Sequence, residues 1–216
     1  MTHYWKKALL RTFILVSAIV PAVSAGAQEK GRFAYRGFYG GMMLHSGYVR
    51  SGSFHVTGHS GTVQELKMSG MPSGIGGAVR FLFGEHLRIG SEGYVSKLTS
   101  GKYDSRIETG WGGLLADCVW QLRKCRVFAG GTVGGGSQTG TIILSPSGND
   151  YRADEIVFRK YSFMALAPFA GVEISLTPKM DIVLKADWLL SLSRREDDFV
   201  SGPRLYLGFM FGHRKQ

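Results

Sequence analysis

The sequence has few of the features that mark disordered, coiled or helical membrane proteins. Charged residues make up only 19% of its 216 residues, and there are six prolines and no low-complexity run. This composition argues against a disordered chain. After residue 27, the longest apolar run lies near residues 164–172 and is broken by Pro168. The rest of the chain therefore lacks the roughly 20 apolar residues that a membrane-spanning helix needs.

The first 27 residues have the organisation of a cleavable export signal. Two lysines lie in a short polar segment, an apolar stretch covers residues 12–23, and small residues that include Ala25 and Ala27 precede a cleavage point at Gln28. The apolar stretch is about a dozen residues long and contains Pro21, so it is too short for a spanning anchor. An exported chain without a membrane helix is periplasmic, secreted or a β-barrel.

Apolar and polar residues alternate with a period of two through eight segments that begin at Gly37. The clearest is Asp181–Leu192, where Leu184 and Trp188 alternate with Lys185. Such alternation predicts β-strands rather than helices. The seven segments after the first cover residues 73–83, 87–98, 105–121, 127–138, 160–175, 181–192 and 203–211. A proline removes one ladder hydrogen bond, so Pro168 predicts a bulge or a misplaced sixth strand.

The connections between these segments alternate between short and long. The short ones cover residues 84–86, 122–126 and 176–180, and the longer, more polar ones cover 50–70, 99–104, 139–159 and 193–202. Transmembrane barrels have this order, with short periplasmic turns and longer external loops. Basic residues are in excess in the short turns and near the termini, which predicts contact with anionic phospholipid head groups at the periplasmic rim.

The face opposite the apolar one carries ionisable residues of both signs. In a membrane barrel these side chains share the lumen, where buried charges are tolerated when they pair. The predicted lumen network consists of Arg80, Arg88, Glu92, Glu108, Glu173, Lys185, Asp187 and Arg204. Periodicity alone does not decide which face points inward. The alternative is a soluble exported ligand-binding barrel, with Trp188, Leu190 and Phe209 inside.

The export signal, the eight segments and the final strand Leu205-Tyr-Leu-Gly-Phe-Met-Phe211 resemble the OmpA- and OmpX-like family of small outer-membrane barrels. The resemblance covers residues 33–212 and is one of pattern and topology. It implies an all-β, eight-stranded antiparallel up-and-down transmembrane barrel in the outer membrane of a Gram-negative bacterium. The chain then divides into a signal peptide (1–27), a short periplasmic segment (28–36), the barrel (37–212) and a C-terminal tail (213–216). This tail is a departure, because many members end at the aromatic residue.

No catalytic, metal-binding or cofactor-binding pattern is found. His45 and Ser46 are neighbours on a predicted strand and therefore point to opposite faces. His55 and His59 are four residues apart but lie in a predicted loop rather than on a helix. Lipid A deacylases of this architecture carry a His and a Ser two residues apart, and the sequence has no such pair. A lipid-modifying enzyme stays an alternative, with no catalytic residue assigned and no cofactor predicted.

The two cysteines, Cys118 and Cys125, bracket the short turn between the fourth and fifth segments. An oxidising compartment permits a disulfide between them. Equal steps back from the turn would place them opposite each other, at a distance that suits a disulfide at some strand positions. The alternative is two small buried thiols.

These observations predict a monomeric barrel with a structural or surface-interaction role. The external loops Arg50–Gly70 and Thr139–Arg159 would be the contact surfaces for a surface ligand. The lipid partners would be lipopolysaccharide and phospholipid. An eight-stranded lumen filled by charged pairs leaves no wide channel, so a general porin is not expected. The formal net charge of +10 does not indicate a nucleic-acid partner, because the chain is exported and has no nucleic-acid-binding motif.

Overall fold

The computed structural model describes residues 34–57, 61, 63–100, 105–123, 125–143, 156–193 and 197–214. The predicted signal peptide lies outside the described residues. Within those ranges, no helix is long and apolar enough to cross a membrane. The strands, in chain order, are β1 (Tyr35–Gly47), β2 (Val49–Arg50), β3 (Phe54–Thr57), β4 (Val63–Leu66), β5 (Ser69–Gly70), β6 (Ser73–Phe83), β7 (Leu87–Ser100), β8 (Ser105–Leu122), β9 (Cys125–Ile143), β10 (Ile156–Thr177), β11 (Met180–Trp188), β12 (Leu190–Ser191) and β13 (Pro203–Arg214).

The long strands form a closed antiparallel ring. β1 pairs with β6 on one side and β13 on the other, and β6 to β10 pair in succession. β10 pairs with both β11 and β12, and β11 pairs with β13, which closes the ring. β11 and β12 follow one register along β10, so they are two parts of one interrupted strand. The barrel therefore has eight strands, and the predicted all-β, up-and-down architecture is confirmed.

The strand bounds agree with the sequence pattern except at the external end. β6 has the predicted bounds, and the barrel extends from Tyr35 to Arg214, two residues beyond each predicted boundary. The predicted loop Thr139–Arg159 is wrong at both ends, because β9 continues to Ile143 and pairs there with Ile156 of β10. Its middle, residues 144–155, lies outside the described residues. The outward residues of this stretch of β9 are mostly small and polar, so the apolar alternation that signals a strand fades there.

Of the two alternatives for the cysteines, the structure has two free thiols. β8 continues to Leu122, Arg123 adopts a left-handed conformation (φ 47°), and β9 begins at Cys125, so the turn is two residues long. In this register Cys125 pairs with Leu122, while Cys118 pairs with Ala129, and both thiols are free. The two cysteines would face each other only if the turn were centred between residues 121 and 122, whereas it lies between Leu122 and Cys125.

Pro168 is accommodated by neither a bulge nor a misplaced strand. It pairs with Gly131 of β9 without a register shift. On the other side of β10, the backbone of Met164 bonds to Leu192 and to the Ser193 hydroxyl. Residues of β10 that are an even number of positions from Met164 therefore also direct their backbone groups away from β9. Pro168 therefore lacks its N–H on the side where β11 and β12 lie, and the strand is interrupted there at Leu189.

The outer wall of the barrel is apolar. Trp188 is 47% exposed on this wall, whereas Lys185 is fully buried in the lumen. The soluble-barrel alternative requires Trp188 and Phe209 to point inward, and both point outward, so it is wrong. An apolar band of this kind, around a charged interior, is the lipid-facing surface of a transmembrane barrel. The band includes Phe38, Met42, Leu44, Val79, Phe81, Ile89, Leu114, Trp120, Val133, Ile174, Leu184, Leu205, Leu207, Phe209 and Phe211.

We predict that Leu184→Arg, near the middle of this band, lowers the free energy of unfolding in lipid vesicles by about 2–4 kcal/mol. The matched control is Phe158→Arg, since Phe158 is also outward and exposed but lies at the external end of β10. We expect about 0–1 kcal/mol there. Urea unfolding followed by tryptophan fluorescence measures both values. Equal costs at the two sites would contradict a lipid-facing band.

Candidate functional site

The periplasmic half of the lumen is organised around one carboxylate, that of Glu173 on β10. Glu173 Oε1 accepts hydrogen bonds from Arg80 (3.1 Å) and Arg88 (2.7 Å), and Oε2 lies 3.1 Å from Nε of Arg126. The three arginines come from β6, β7 and β9. One carboxylate therefore ties together strands that lie on different sides of the barrel.

Two further carboxylates and one aromatic ring complete this cluster. Asp117 on β8 accepts two bonds from Arg88, of 2.6 and 3.2 Å, and Asp181 on β11 accepts one from Arg126. The guanidinium groups of Arg80 and Arg88 lie 4.7 and 5.0 Å from the ring centre of Phe128, a cation–π arrangement.

Space for the Phe128 ring is provided by the glycine at position 171. A Cβ atom there would lie 2.4 Å from the edge of the ring. The side chain of any other residue would therefore displace Phe128 and the guanidinium groups stacked on it.

The middle of the lumen holds a buried lysine. Nζ of Lys185 donates to Glu92 at 2.7 Å, and Glu92 also accepts bonds from the hydroxyl groups of Thr132 (2.7 Å) and Tyr94 (3.1 Å). The ammonium group lies 4.6–5.0 Å from three aromatic ring centres. A carboxylate and three aromatic rings therefore lie around this buried cation.

Above this lysine, Asp187 and Arg204 form a two-bond ion pair. Arg204 Nε and one terminal nitrogen donate to the two carboxylate oxygens of Asp187 at 2.8 and 3.0 Å. The guanidinium group of Arg204 lies 5.4 Å from the ring centre of Trp111. Paired arginine and carboxylate groups of this geometry hold their positions firmly because both partners are planar.

The structure brings together all of the predicted lumen residues except Glu108. That prediction is wrong for Glu108, whose side chain is 50% exposed on the outer wall and pairs with Arg106 on the same strand. The fourth predicted segment is glycine-rich and its alternation is weak, so its inward face could not be assigned from the pattern. The inward acid of this strand is Asp117.

Three other ionised groups of the lumen were missed as members of the network. Arg126 and Asp198 lie in segments that the sequence assigns to a turn and a loop, and Asp181 lies at the start of a strand. Asp198 pairs with half-buried Arg159 at 3.0 Å. With Arg159 counted, the described residues place six cations and six carboxylates in the interior. A balanced interior of this kind avoids the large cost of an unpaired buried charge.

His45 is buried at the external end of the network, but it is not part of its hydrogen bonding. Within the described ranges neither ring nitrogen has a hydrogen-bond partner. The ring lies tilted against Tyr206, with 4.8 Å between the ring centres, and meets Tyr94 edge-on at 5.7 Å. The neighbouring Ser46 points away from the lumen and donates to the carbonyl of Pro72.

The external mouth of the lumen is filled by a folded connection. The segment before β13 turns inward, where the side chain of Gln138 donates to the carbonyl of Asp198 at 2.9 Å, and Phe199 packs edge-on against Phe163 at 5.0 Å. Above it lies a second apolar cluster, which includes Phe54 and Val56 of the β3–β4 hairpin. Two interior cavities, of about 10 and 30 Å³, have room for about one or two water molecules each.

Beyond the barrel rim, β7 to β10 continue as a four-stranded sheet, which we call the external sheet. β7 and β8 pair out to Ser100 and Ser105, and β9 and β10 pair out to Ile143 and Ile156. The pairing of β10 with β12 ends at Ala165. Residues 156–163 of β10 therefore form an edge of the external sheet, and no strand of the described chain pairs with them on the side away from β9.

We predict that Glu173→Gln lowers the free energy of unfolding in lipid vesicles by about 3–5 kcal/mol, because three buried arginines lose a shared anion. Glu108→Gln is the control. It breaks an exposed ion pair and should cost at most about 1 kcal/mol. Urea titration with tryptophan fluorescence gives both values, and a Glu173→Gln cost within that of the control would refute the central role of this carboxylate.

No protein-family model and no curated protein matches the chain. Among solved structures, Neisserial surface protein A is 12% identical over 82% of this chain and 97% of its own, with a TM-score of 0.50. The outer membrane protein OprG from Pseudomonas aeruginosa is 10% identical over 86% of this chain and 100% of its own, with a TM-score of 0.47.

Ail of Yersinia pestis, solved in complex with the heparin analogue sucrose octasulfate, is 15% identical over 81% of this chain and 99% of its own, with a TM-score of 0.44. At these identities the likeness concerns the fold alone. The closed ring, the apolar band and the similarity to Neisserial surface protein A agree on the fold of a small outer-membrane β-barrel. The chain therefore has the fold of the OmpA- and OmpX-like small outer-membrane β-barrels, as its sequence pattern indicated.

Proposed function

We propose that this protein is a monomeric surface-interaction barrel of the outer membrane, which presents the edge of its external sheet to an extended polypeptide segment. The observation that carries this proposal is the edge of β10 over residues 156–163. An exposed strand edge offers a row of hydrogen-bonding groups to a partner strand. The filled lumen then serves as a rigid support for that edge.

The register of β10 identifies the groups available at this edge. Met164 directs its N–H and C=O away from β9, toward Ser193 and Leu192. The ladder with β9 has no register shift, so Phe158, Lys160 and Ser162 direct their backbone groups the same way. Three consecutive donor and acceptor pairs are thus presented in the geometry that strand addition uses.

The side chains beside this edge differ from those of a protected edge. Natural edge strands are often shielded by charge, proline or a bulge. Here Phe158 is 73% exposed and Ile156 is also exposed, with Lys160 as the one charged neighbour on that face of β10. An exposed aromatic ring next to open backbone groups favours a partner strand that carries apolar side chains at alternate positions.

The β3–β4 hairpin contributes to the same surface. It occupies the middle of the predicted contact loop Arg50–Gly70, and the guanidinium group of Arg159 lies 5.7 Å from the ring centre of Phe54. The hairpin is thereby packed beside the lumen-facing side of β10. The edge is supported from behind, so pairing with a partner requires little ordering of the barrel itself.

The lipid partners in this proposal are lipopolysaccharide and phospholipid around the apolar band. Exposed basic residues that include Arg36, Arg123 and Lys179 lie at the periplasmic end, where anionic head groups attract them. The charged lumen, with its small cavities, does not support a role as a general porin.

The proposal predicts contact-dependent crosslinking at the edge. A photoreactive amino acid at position 160, in cells that display the full protein, should give a discrete adduct with a polypeptide. The additional change Phe158→Pro removes one edge N–H that β9 does not use, and it should abolish this adduct. A photoreactive residue at position 99, outward on β7 at the opposite edge of the external sheet, where Ser69 of β5 bonds to Ser100, is the control.

Adducts are resolved by gel mobility and identified by mass spectrometry. Heat-dependent gel mobility of each variant verifies that the barrel has folded. Equal crosslinking at positions 99 and 160, or an adduct that survives Phe158→Pro, would rule out recognition through the β10 edge.

A second prediction concerns the lumen. The purified protein in planar bilayers should give no steady conductance of porin size, because ion pairs and aromatic rings fill the interior and the external mouth is closed by residues 198–200. An eight-stranded barrel leaves room only for side chains. Steady openings that pass small sugars would contradict the proposed role.

A further inference from the structure

The outer wall of the barrel contains a large groove at its external end. The groove spans β1, β6, β7, β8 and β9 and has a volume of about 710 Å³, within the range of small-molecule binding sites. It differs from the interior cavities because most of its lining side chains point outward from the barrel. It is also separate from the β10 edge, so the inference depends on the outer-membrane placement and not on the edge-pairing proposal.

The floor of the groove is formed by small residues. Gly110 on β8 and Ser137 on β9 are paired across the sheet, and both belong to its lining. A Cβ atom added at Gly110 would approach only Val95, at an ordinary contact distance of 3.7 Å. The depression therefore exists because large side chains are missing from these outward positions, where the sheet itself has room for them.

The groove is apolar at the end nearest the apolar band and charged at its external end. Leu44, Ile75 and Val95 line the part nearest the apolar band, and all three are exposed. A membrane-spanning strand needs about 9–11 residues. Counted from the periplasmic ends of their strands at Tyr35, Phe83 and Leu87, these three side chains lie just inside the external boundary of the lipid.

The external part of the groove is charged. Lys97 lies two residues beyond Val95 on β7, and it stands opposite Glu108 of β8. Arg106 lies two residues farther out and pairs with Glu108. Two cations and one carboxylate leave this part with a net positive charge, at the level where lipid head groups meet water.

We propose that this groove binds the lipid A portion of lipopolysaccharide. Its acyl chains would lie along Leu44, Ile75 and Val95, and a sugar phosphate would bind Lys97 and Arg106. Lipid A combines several acyl chains with phosphates on a sugar backbone. It occupies the outer leaflet, the leaflet that the groove faces. A phosphate accepts charge-assisted hydrogen bonds from both side chains, and it competes with Glu108 for Arg106.

Because the phosphate and Glu108 compete for Arg106, loss of the cations and loss of the carboxylate should change the affinity for lipid A in opposite directions. Replacement of both cations in the double variant Lys97→Gln with Arg106→Gln should weaken binding about tenfold, the usual effect of losing a charge-assisted hydrogen bond. Glu108→Gln removes the competing carboxylate and should strengthen binding. A variant that is merely damaged does not bind more tightly, so the second change separates recognition from loss of structure.

The experiment is native mass spectrometry of the full folded protein in detergent, titrated with three lipids. These are lipid A with both phosphates, the same lipid A without phosphates, and phosphatidylglycerol. We expect the double variant to lose affinity only for phosphorylated lipid A. Gly110→Leu, which fills the groove, should weaken both forms of lipid A.

Lys160→Gln is the matched control, because Lys160 is an exposed lysine of the external sheet that does not line the groove. It should leave all three affinities unchanged. The proposal is overturned if phosphatidylglycerol binds as tightly as phosphorylated lipid A, if removal of the phosphates has no effect, or if Lys160→Gln weakens binding as much as the double variant. Heat-dependent gel mobility confirms folding of every variant.

Discussion

The structure depends on the neutralisation of charge inside a narrow barrel. Six strands place cations in the interior, and each of these cations meets a carboxylate from another strand or, in the case of Arg159, from the segment before β13. Glu173 is the central case, since it contacts arginines from β6, β7 and β9. A single unpaired charge in this interior would cost several kcal/mol, so the network fixes the relative positions of strands that do not share a hydrogen-bond ladder. The hydrogen-bond ladders close the ring, and the ion pairs fix the positions of the strands across the lumen.

This internal arrangement leaves the outside of the barrel free to carry function. Because the lumen is filled and its external mouth is closed by the segment around Phe199, the two surfaces that we propose for recognition both lie on the outside of the barrel. One is the edge of β10, where no strand of the described chain pairs with the backbone groups that point away from β9. The other is the groove at the lipid boundary, where small residues at Gly110 and Ser137 make room beside Lys97 and Arg106. Both surfaces lie on strands that are longer than the membrane requires.

Pro168 illustrates how one residue shapes this external end. Its ring removes a backbone N–H on the side of β10 that faces β11 and β12, and the strand opposite is interrupted at Leu189. Beyond this point β10 pairs with β12 for only two residues and then continues with one neighbour. The proline thus lies close to where the closed barrel gives way to the open external sheet. The sequence pattern identified it as a disturbance of the sixth strand, but the form of that disturbance depends on which partner lies on which side.

The sequence by itself determined the number of strands, their alternation and the presence of one apolar and one charged face. Strands with a period of two signal themselves locally, as Asp181–Leu192 does, and the order of short and long connections follows from the same pattern. The direction of Trp188 and Lys185, the place of Glu108 on the outer wall, the distance between Cys118 and Cys125 and the external edge of β10 were decided only by the tertiary structure. Each depends on the register between strands and on closure of the ring, and a shift of one residue reverses the face of every side chain. That register comes from contacts between distant segments, which no local pattern records.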